Sequence, residues 1–112
     1  MAGTIDAATF AELQATAGAD FVGELVDTFL EEAPIMLAEL KSALAADQAE
    51  AFRRAAHSLK LNAHTFGAAA LGAMARELEL GGLAAAREPG ALDRLDQEYA
   101  RTAAALSELQ GG

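Results

Sequence analysis

The stretch from Arg53 to Glu79 reads RRAAHSLKLNAHTFGAAALGAMARELE, and the interpretation of the whole chain starts from it. Its first half predicts an amphipathic helix over residues 47–66, because apolar side chains recur on one side when each residue turns the helix by about 100°. His57 falls on the opposite side, so we expect its imidazole to point into solvent. The apolar face, which is expected to meet the core, consists of Phe52, Ala55, Ala56, Leu59, Ala63 and Phe66.

The polar face of this helix carries a basic island, which consists of Arg53, Arg54 and Lys60 around His57. No acidic residue occurs over positions 51–76, although the whole chain has a net charge of −9. Basic surroundings of this kind suit a side chain that must hold an anionic phosphoryl group.

The residue types at this position allow phosphate chemistry. A neutral imidazole has an ordinary pKa of about 6.5, which makes it a good nucleophile near neutral pH. It can attack an acyl phosphate and form a phosphohistidine, which divides one transfer into two steps. Lys60 faces the same way as His57, three residues along the helix, and its ammonium can offset charge on phosphoryl oxygens. On the residues alone, an ordinary surface histidine stays open as the alternative.

The spacing of the motifs points to a family. The pattern His-x-Leu-Lys from His57, then Phe-Gly-Ala from Phe66, then a Leu-rich helix that ends in Leu-Glu at Glu79, resembles the histidine-containing phosphotransfer (HPt) family. The stretch 21–44, FVGELVDTFLEEAPIMLAELKSAL, is similar to the helix that precedes the histidine there. The resemblance implies that His57 is the phosphoacceptor between receiver-domain aspartates and that Lys60 stabilises the phosphate. It also implies that Mg²⁺ belongs to the receiver partner and that this chain has no cofactor.

Two positions depart from the family pattern. Residue 61 is usually Gly or Ser in that family and is Leu here, and residue 64 is usually small and is His here. Leu61 either obstructs an approaching receiver or provides an apolar docking contact. His64 is a solvated or partly packed side chain, an accessory hydrogen-bond donor or a second acceptor. Arg53 and Arg54 either steer an acidic partner or are generic surface charge.

Two other functions compete with the carrier function. A binding-only module would dock a receiver on the same surface without accepting phosphate. A metal- or cofactor-binding bundle enzyme would need inward carboxylates such as a Glu-x-x-His pair, and no Glu lies three residues before either histidine. A metal shared by His57 and His64 is disfavoured, because two helical turns separate them by about 10 Å. The sequence has no Gly-rich phosphate loop or kinase motif, so we expect no kinase activity.

The composition predicts one helical domain over residues 1–112. Alanine is frequent and proline occurs only twice, which favours helix almost everywhere. The acidic balance argues against nucleic acid and against an anionic membrane surface as partners. The chain has no cysteine, no apolar run of about 20 residues and no signal-peptide pattern, so we expect a cytoplasmic protein without disulfides. We also expect a monomer.

The predicted fold is an all-α, antiparallel (up-down) four-helix bundle with a short extra N-terminal helix. Thr4 or Asp6 is expected to cap the short helix, and Gly18 to end it. A long helix follows, with Asp20 as its N-cap, and it runs to residue 45 with a bend near Pro34. Two separate helices that meet at the proline are the alternative.

The remaining helices have clear start and stop signals. Asp47, with Glu50 three residues on, predicts a capping box for the histidine helix, and Gly67 is a structural turn that ends it. The next helix begins at residue 68 and is weakened at the pair Gly81-Gly82. After the loop at residues 88–90, the last helix is expected over 91–109. Its apolar seam consists of Leu92, Leu95, Tyr99, Thr102, Leu106 and Leu109.

Overall fold

A computed structural model describes residues 4–111 of the chain. These residues form five helices joined by short turns. Four long helices pack as an up-down bundle, and the short first helix lies beside the second. The predicted architecture is therefore confirmed. The helices are α1 (Ala7–Ala17), α2 (Ala19–Ala45), α3 (Ala49–Thr65), α4 (Ala69–Ala86) and α5 (Ala91–Gly111).

The core fixes the rotation of α3 and therefore the direction of His57. All six residues of the predicted apolar face are buried, and the most exposed of them, Ala55, is only 6% exposed. Phe29 of α2 packs against Phe66 and Tyr99, with ring centroids 5.4 and 5.9 Å apart. Large fully buried side chains come from all four long helices: Phe29, Leu40, Phe52, Leu59, Leu71, Leu95 and Leu106.

The long helix α2 continues through Pro34, as one element of 27 residues. Proline has no N–H group, so the carbonyl of Leu30, four residues earlier, loses its helical donor. The Tyr99 hydroxyl of α5 donates to that carbonyl at 3.5 Å, which is a long and weak hydrogen bond. Burial raises the pKa of the Tyr99 phenol. The neighbouring helix thus partly satisfies the carbonyl that the proline leaves free.

The predicted helix caps are right for α1 and wrong for α2. The Asp6 carboxylate accepts a hydrogen bond from the backbone N–H of Thr9 and caps α1. Gly18 stands at the N-cap of α2, and Asp20 lies inside the first turn. A carboxylate there still interacts favourably with the positive end of the helix dipole.

Asp47 does not cap α3, and the predicted capping box is wrong. Its φ of 59° lies in the left-handed region, where residues other than glycine are uncommon. In this conformation it closes the end of α2: the N–H groups of Asp47 and Gln48 donate to the carbonyls of Leu44 and Ala43. The Asp47 carboxylate forms an ion pair with Arg87 at 2.6 Å. Helix α3 begins two residues later.

Gly67 closes α3 with the same kind of turn, as predicted. Its φ is 80°, and its carbonyl accepts a hydrogen bond from the N–H of Asp6 at 2.8 Å. A Cβ at this position would lie 3.1 Å from the Asp6 carbonyl oxygen and 3.0 Å from Cβ of Thr9. The turn therefore needs glycine both for its backbone conformation and for its close contact with the start of α1.

Gly67→Ala is expected to destabilise the fold by about 2 kcal/mol, because left-handed backbone is costly for other residues and the close contact adds to that cost. Gly90→Ala is the matched control. Gly90 has a similar φ of 79°, but a Cβ there meets only the flexible end of Arg94. Urea unfolding of both variants measures the difference, and equal losses would contradict the importance of the contact with α1.

The last two helices contain one interruption and one exposed end. Gly82 has a φ of 66° and a ψ of −152°, which interrupts α4 at the predicted weak point. The half of α4 before Gly82 contacts α3 through Gly72 and Glu79. The predicted seam of α5 is buried or half-buried except at Leu109, in the last turn, which is 42% exposed.

Candidate functional site

Helix α3 places His57 at the edge where it meets α4. The His57 side chain is 45% exposed, and its Nδ1 lies 2.8 Å from Oε2 of Glu79 on α4. The Nζ of Lys60 lies 2.7 Å from Oε1 of the same carboxylate. One acidic side chain that is only 12% exposed therefore contacts both the histidine and the lysine.

The two contacts of Glu79 differ in geometry. The contact with His57 is a hydrogen bond. The Lys60 ammonium reaches Oε1 from a direction outside hydrogen-bond geometry, and the buried Oε1 has no other partner among the described residues. This contact is an ion pair. Because an ammonium has three donors, Lys60 can keep it and still donate to a second anion.

The charge of Glu79 determines where the His57 proton lies. The Lys60 ammonium is the largest cause that holds the pKa of the Glu79 carboxyl below its usual range; burial opposes this, and His57 adds to it. An ionised carboxylate accepts hydrogen bonds and cannot donate them. The proton shared with Glu79 therefore belongs to His57 Nδ1, and the neutral ring keeps its lone pair on Nε2.

Acid is expected to weaken the fold through Glu79. A carboxyl whose pKa is lower in the folded chain adds stability that is fully present above its unfolded pKa of about 4.3 and is lost as the pH falls through the folded value. Wild type should therefore lose more free energy of unfolding than Glu79→Gln between about pH 5 and pH 3. Urea unfolding at a series of pH values measures this, and parallel curves would contradict it.

The rest of the basic island is partly neutralised. Arg53 donates two hydrogen bonds to Glu50, at 2.6 and 3.2 Å, and these bonds lower the pKa of the Glu50 carboxyl and raise the pKa of Arg53. Both side chains are well exposed, so this pair adds little stability. Arg54 lies nearer α2. Residues 51–76 contain no acid, but Glu50 directly precedes this window in the sequence, and the fold brings Glu79 against His57.

A groove of about 350 Å³ lies between α2 and α3 beside Arg54. Ile35, on its α2 side, is 59% exposed, and Leu61, one turn after His57, is 53% exposed. Exposed large apolar side chains such as these two are candidate contacts for a partner. The groove is lined by Glu32, Ile35, Met36, Glu39, Arg54, Ala55 and Ser58.

His64 does not join the cluster of His57, Lys60 and Glu79. It is exposed and lies two turns beyond His57, about 10 Å along the helix axis. Its ring packs on Gly72 of α4, where a Cβ would lie 2.8 Å from the ring atoms Cε1 and Nε2.

Glu79 is the site residue to which the sequence assigned no role. Its only signal was its place at the end of the Leu-Glu motif. The contact joins two helices and residues 22 positions apart, so helical periodicity within α3 carries no information about it.

Residues 4–111 contain neither a cluster of metal ligands nor a membrane-spanning helix. No three His, Asp or Glu side chains there lie close enough together to hold a metal ion. No helix in that range is both long and apolar enough to cross a membrane.

Comparison with known proteins decides the family. The sequence profile of the Hpt domain matches residues 24–107, which include His57, Lys60 and Glu79. The chain belongs to the Hpt domain family. This Hpt fold is similar to the crystal structure of histidine-containing phosphotransfer protein B (HptB) from Pseudomonas aeruginosa PAO1, with a TM-score of 0.89 and 28% identity, over 99% of this chain and 97% of that one. No curated protein matches the chain.

Proposed function

We propose that this chain is a phosphorelay carrier that holds a phosphoryl group on His57 and passes it between aspartates of receiver domains. The hydrogen bond of 2.8 Å between His57 Nδ1 and Glu79 supports this most directly, because it keeps the proton on Nδ1 and leaves Nε2 as the nucleophile. Membership of the Hpt family supports the same chemistry.

The transfer step needs no external base. The lone pair of His57 Nε2 attacks the phosphorus of an aspartyl phosphate on the receiver. The N–P bond forms while the P–O bond to the aspartate breaks, and the electron pair of that bond leaves with the aspartate carboxylate. Nδ1 keeps its proton, so the phosphorylated ring is positively charged. The Glu79 carboxylate, 2.8 Å from Nδ1, stabilises that charge. Transfer to the next receiver is the reverse reaction.

Lys60 is the residue that we propose for the phosphoryl oxygens. It lies one turn from His57 and is 21% exposed, so a donor not used on Glu79 can turn toward the phosphoryl group. In this proposal Mg²⁺ stays on the receiver, where it would offset the charge of the acyl phosphate. The chain itself contributes no cofactor.

The receiver is proposed to dock on the face of α2 and α3 around His57. Leu61 and Ile35 offer apolar contacts, and Arg53 and Arg54 offer positive charge that would favour an acidic partner. A monomer without kinase activity of its own, acting in the cytoplasm, completes the proposal.

Incubation of the purified protein with a phosphorylated receiver domain from the same source tests the proposal. We expect acid-labile, base-stable phosphate on this chain, and peptide mapping should locate it on His57. Phosphate on the peptide segment that carries His64 would move the site. Measurable binding of the receiver without any phosphate on the chain would favour a binding-only module.

A further inference from the structure

We propose that Gly72 is a positioning residue for phosphoryl transfer. Because Gly72 has no side chain, the ring of His64 can pack against α4. In that position the ring stays out of the space through which a receiver reaches His57. The inference rests on the proposed carrier function and adds a requirement for this particular pair of residues.

The contact between His64 and Gly72 is close and involves the face of the ring. A Cβ on Gly72 would lie 2.8 Å from Cε1, 2.8 Å from Nε2 and 3.1 Å from Nδ1 of His64. Three ring atoms at nearly equal distances mean that the flat face of the imidazole meets the glycine. Carbon atoms in contact ordinarily stand about 3.5–4.0 Å apart, so even a methyl group at position 72 has to displace the ring.

Two sides of the His64 ring would be blocked in Gly72→Ala. The side of α3 next to His64 is closed by Ala63 and Phe66, which are 0% and 2% exposed. A methyl group on Gly72 closes the α4 side as well. We infer that the imidazole then moves toward solvent, on the face of α3 that also carries Leu61 and His57.

Position 64 lies inside the area that a docked receiver would cover. A stable protein interface covers about 800 Å² on each partner, which corresponds to a disc of about 16 Å radius. His64 is about 10 Å from His57 along the same helix, so a disc centred on His57 includes it. Phosphoryl transfer depends on placing the attacking nitrogen and the leaving oxygen in line, so an added obstacle in this area slows the reaction.

Four proteins test the pair: wild type, Gly72→Ala, His64→Ala and the double variant. The donors are a phosphorylated receiver and phosphoramidate, a small donor that needs no docking surface. We expect Gly72→Ala to accept phosphate from the receiver about tenfold more slowly than wild type. The double variant should return to the rate of His64→Ala alone. Phosphoramidate should label all four proteins at one rate, because the chemistry at His57 is intact.

Three results would overturn the inference. The first is a wild-type rate for Gly72→Ala with the receiver. The second is equal slowing in Gly72→Ala and the double variant, because alanine would then act on α4 itself. The third is equal slowing with both donors. A wild type that phosphoramidate labels but no receiver labels would instead overturn the carrier function, together with this inference. Thermal unfolding checks that the Gly72 variants keep the fold, since alanine favours a helix interior more than glycine does.

Discussion

Replacement of His57 by glutamine is expected to abolish phosphoryl transfer, with residual labelling at least about a thousandfold below wild type. Glutamine keeps a polar side chain, but the lone pair of its amide nitrogen is delocalised into the carbonyl and cannot form the N–P bond. The side chain of His57 is 45% exposed, so the fold should hardly change. The measurement is the initial rate at which acid-labile, base-stable phosphate appears from a phosphorylated receiver.

His64→Gln is the matched control for this prediction. It makes the same chemical change on the same helix, two turns away from the proposed phosphoacceptor, and it should retain labelling. Receiver binding by His57→Gln, measured by calorimetry, should stay within a few-fold of wild type, because the docking face is intact. Label that survives in His57→Gln and disappears in His64→Gln would assign the phosphoacceptor to His64.

The bundle could be predicted because the apolar periodicity of its helices is strong, and the apolar face of α3 is buried as expected. The start of α3 shows where this reasoning stops. An aspartate between two helices can cap the next helix with its side chain or close the previous one in a left-handed conformation. Asp47 does the second, and its partner Arg87 is 40 residues away in the sequence. Local sequence does not distinguish the two outcomes.

The candidate site also has a part that the sequence predicts and a part that only the fold reveals. Helical phase alone puts His57 and Lys60 on one face of α3. Which residues of α4 meet that face depends on the turn at Gly67 and on the packing of the two helices, so Glu79 had no assigned role. The same limit applies to His64. The sequence shows only that residue 64 is larger here than is usual in the family. The fold is needed to show that Gly72 lies against the His64 ring.

Glu79→Gln is expected to lower the rate of phosphoryl transfer about 10- to 100-fold, the range found when the carboxylate that orients a metal-bound imidazole is lost. An amide that accepts from Nδ1–H carries no charge and does not stabilise the positive phosphorylated ring. An amide that turns and donates to Nδ1 moves the ring proton to Nε2, which removes the nucleophile. Receiver binding should change little, because Glu79 is only 12% exposed. Single-turnover rates at saturating receiver separate the two effects.

Glu77→Gln provides the matched control for Glu79. Glu77 is an exposed carboxylate on the same helix, and it lines a different groove, together with Met74 and Arg94. Its loss removes one negative charge without touching His57 or Lys60, so transfer should continue at the wild-type rate. Equal rates for the two variants would contradict the role of Glu79. Nε2 would then be available without a carboxylate on Nδ1, and the reactivity of His57 would rest on its exposure and on the charge of Lys60.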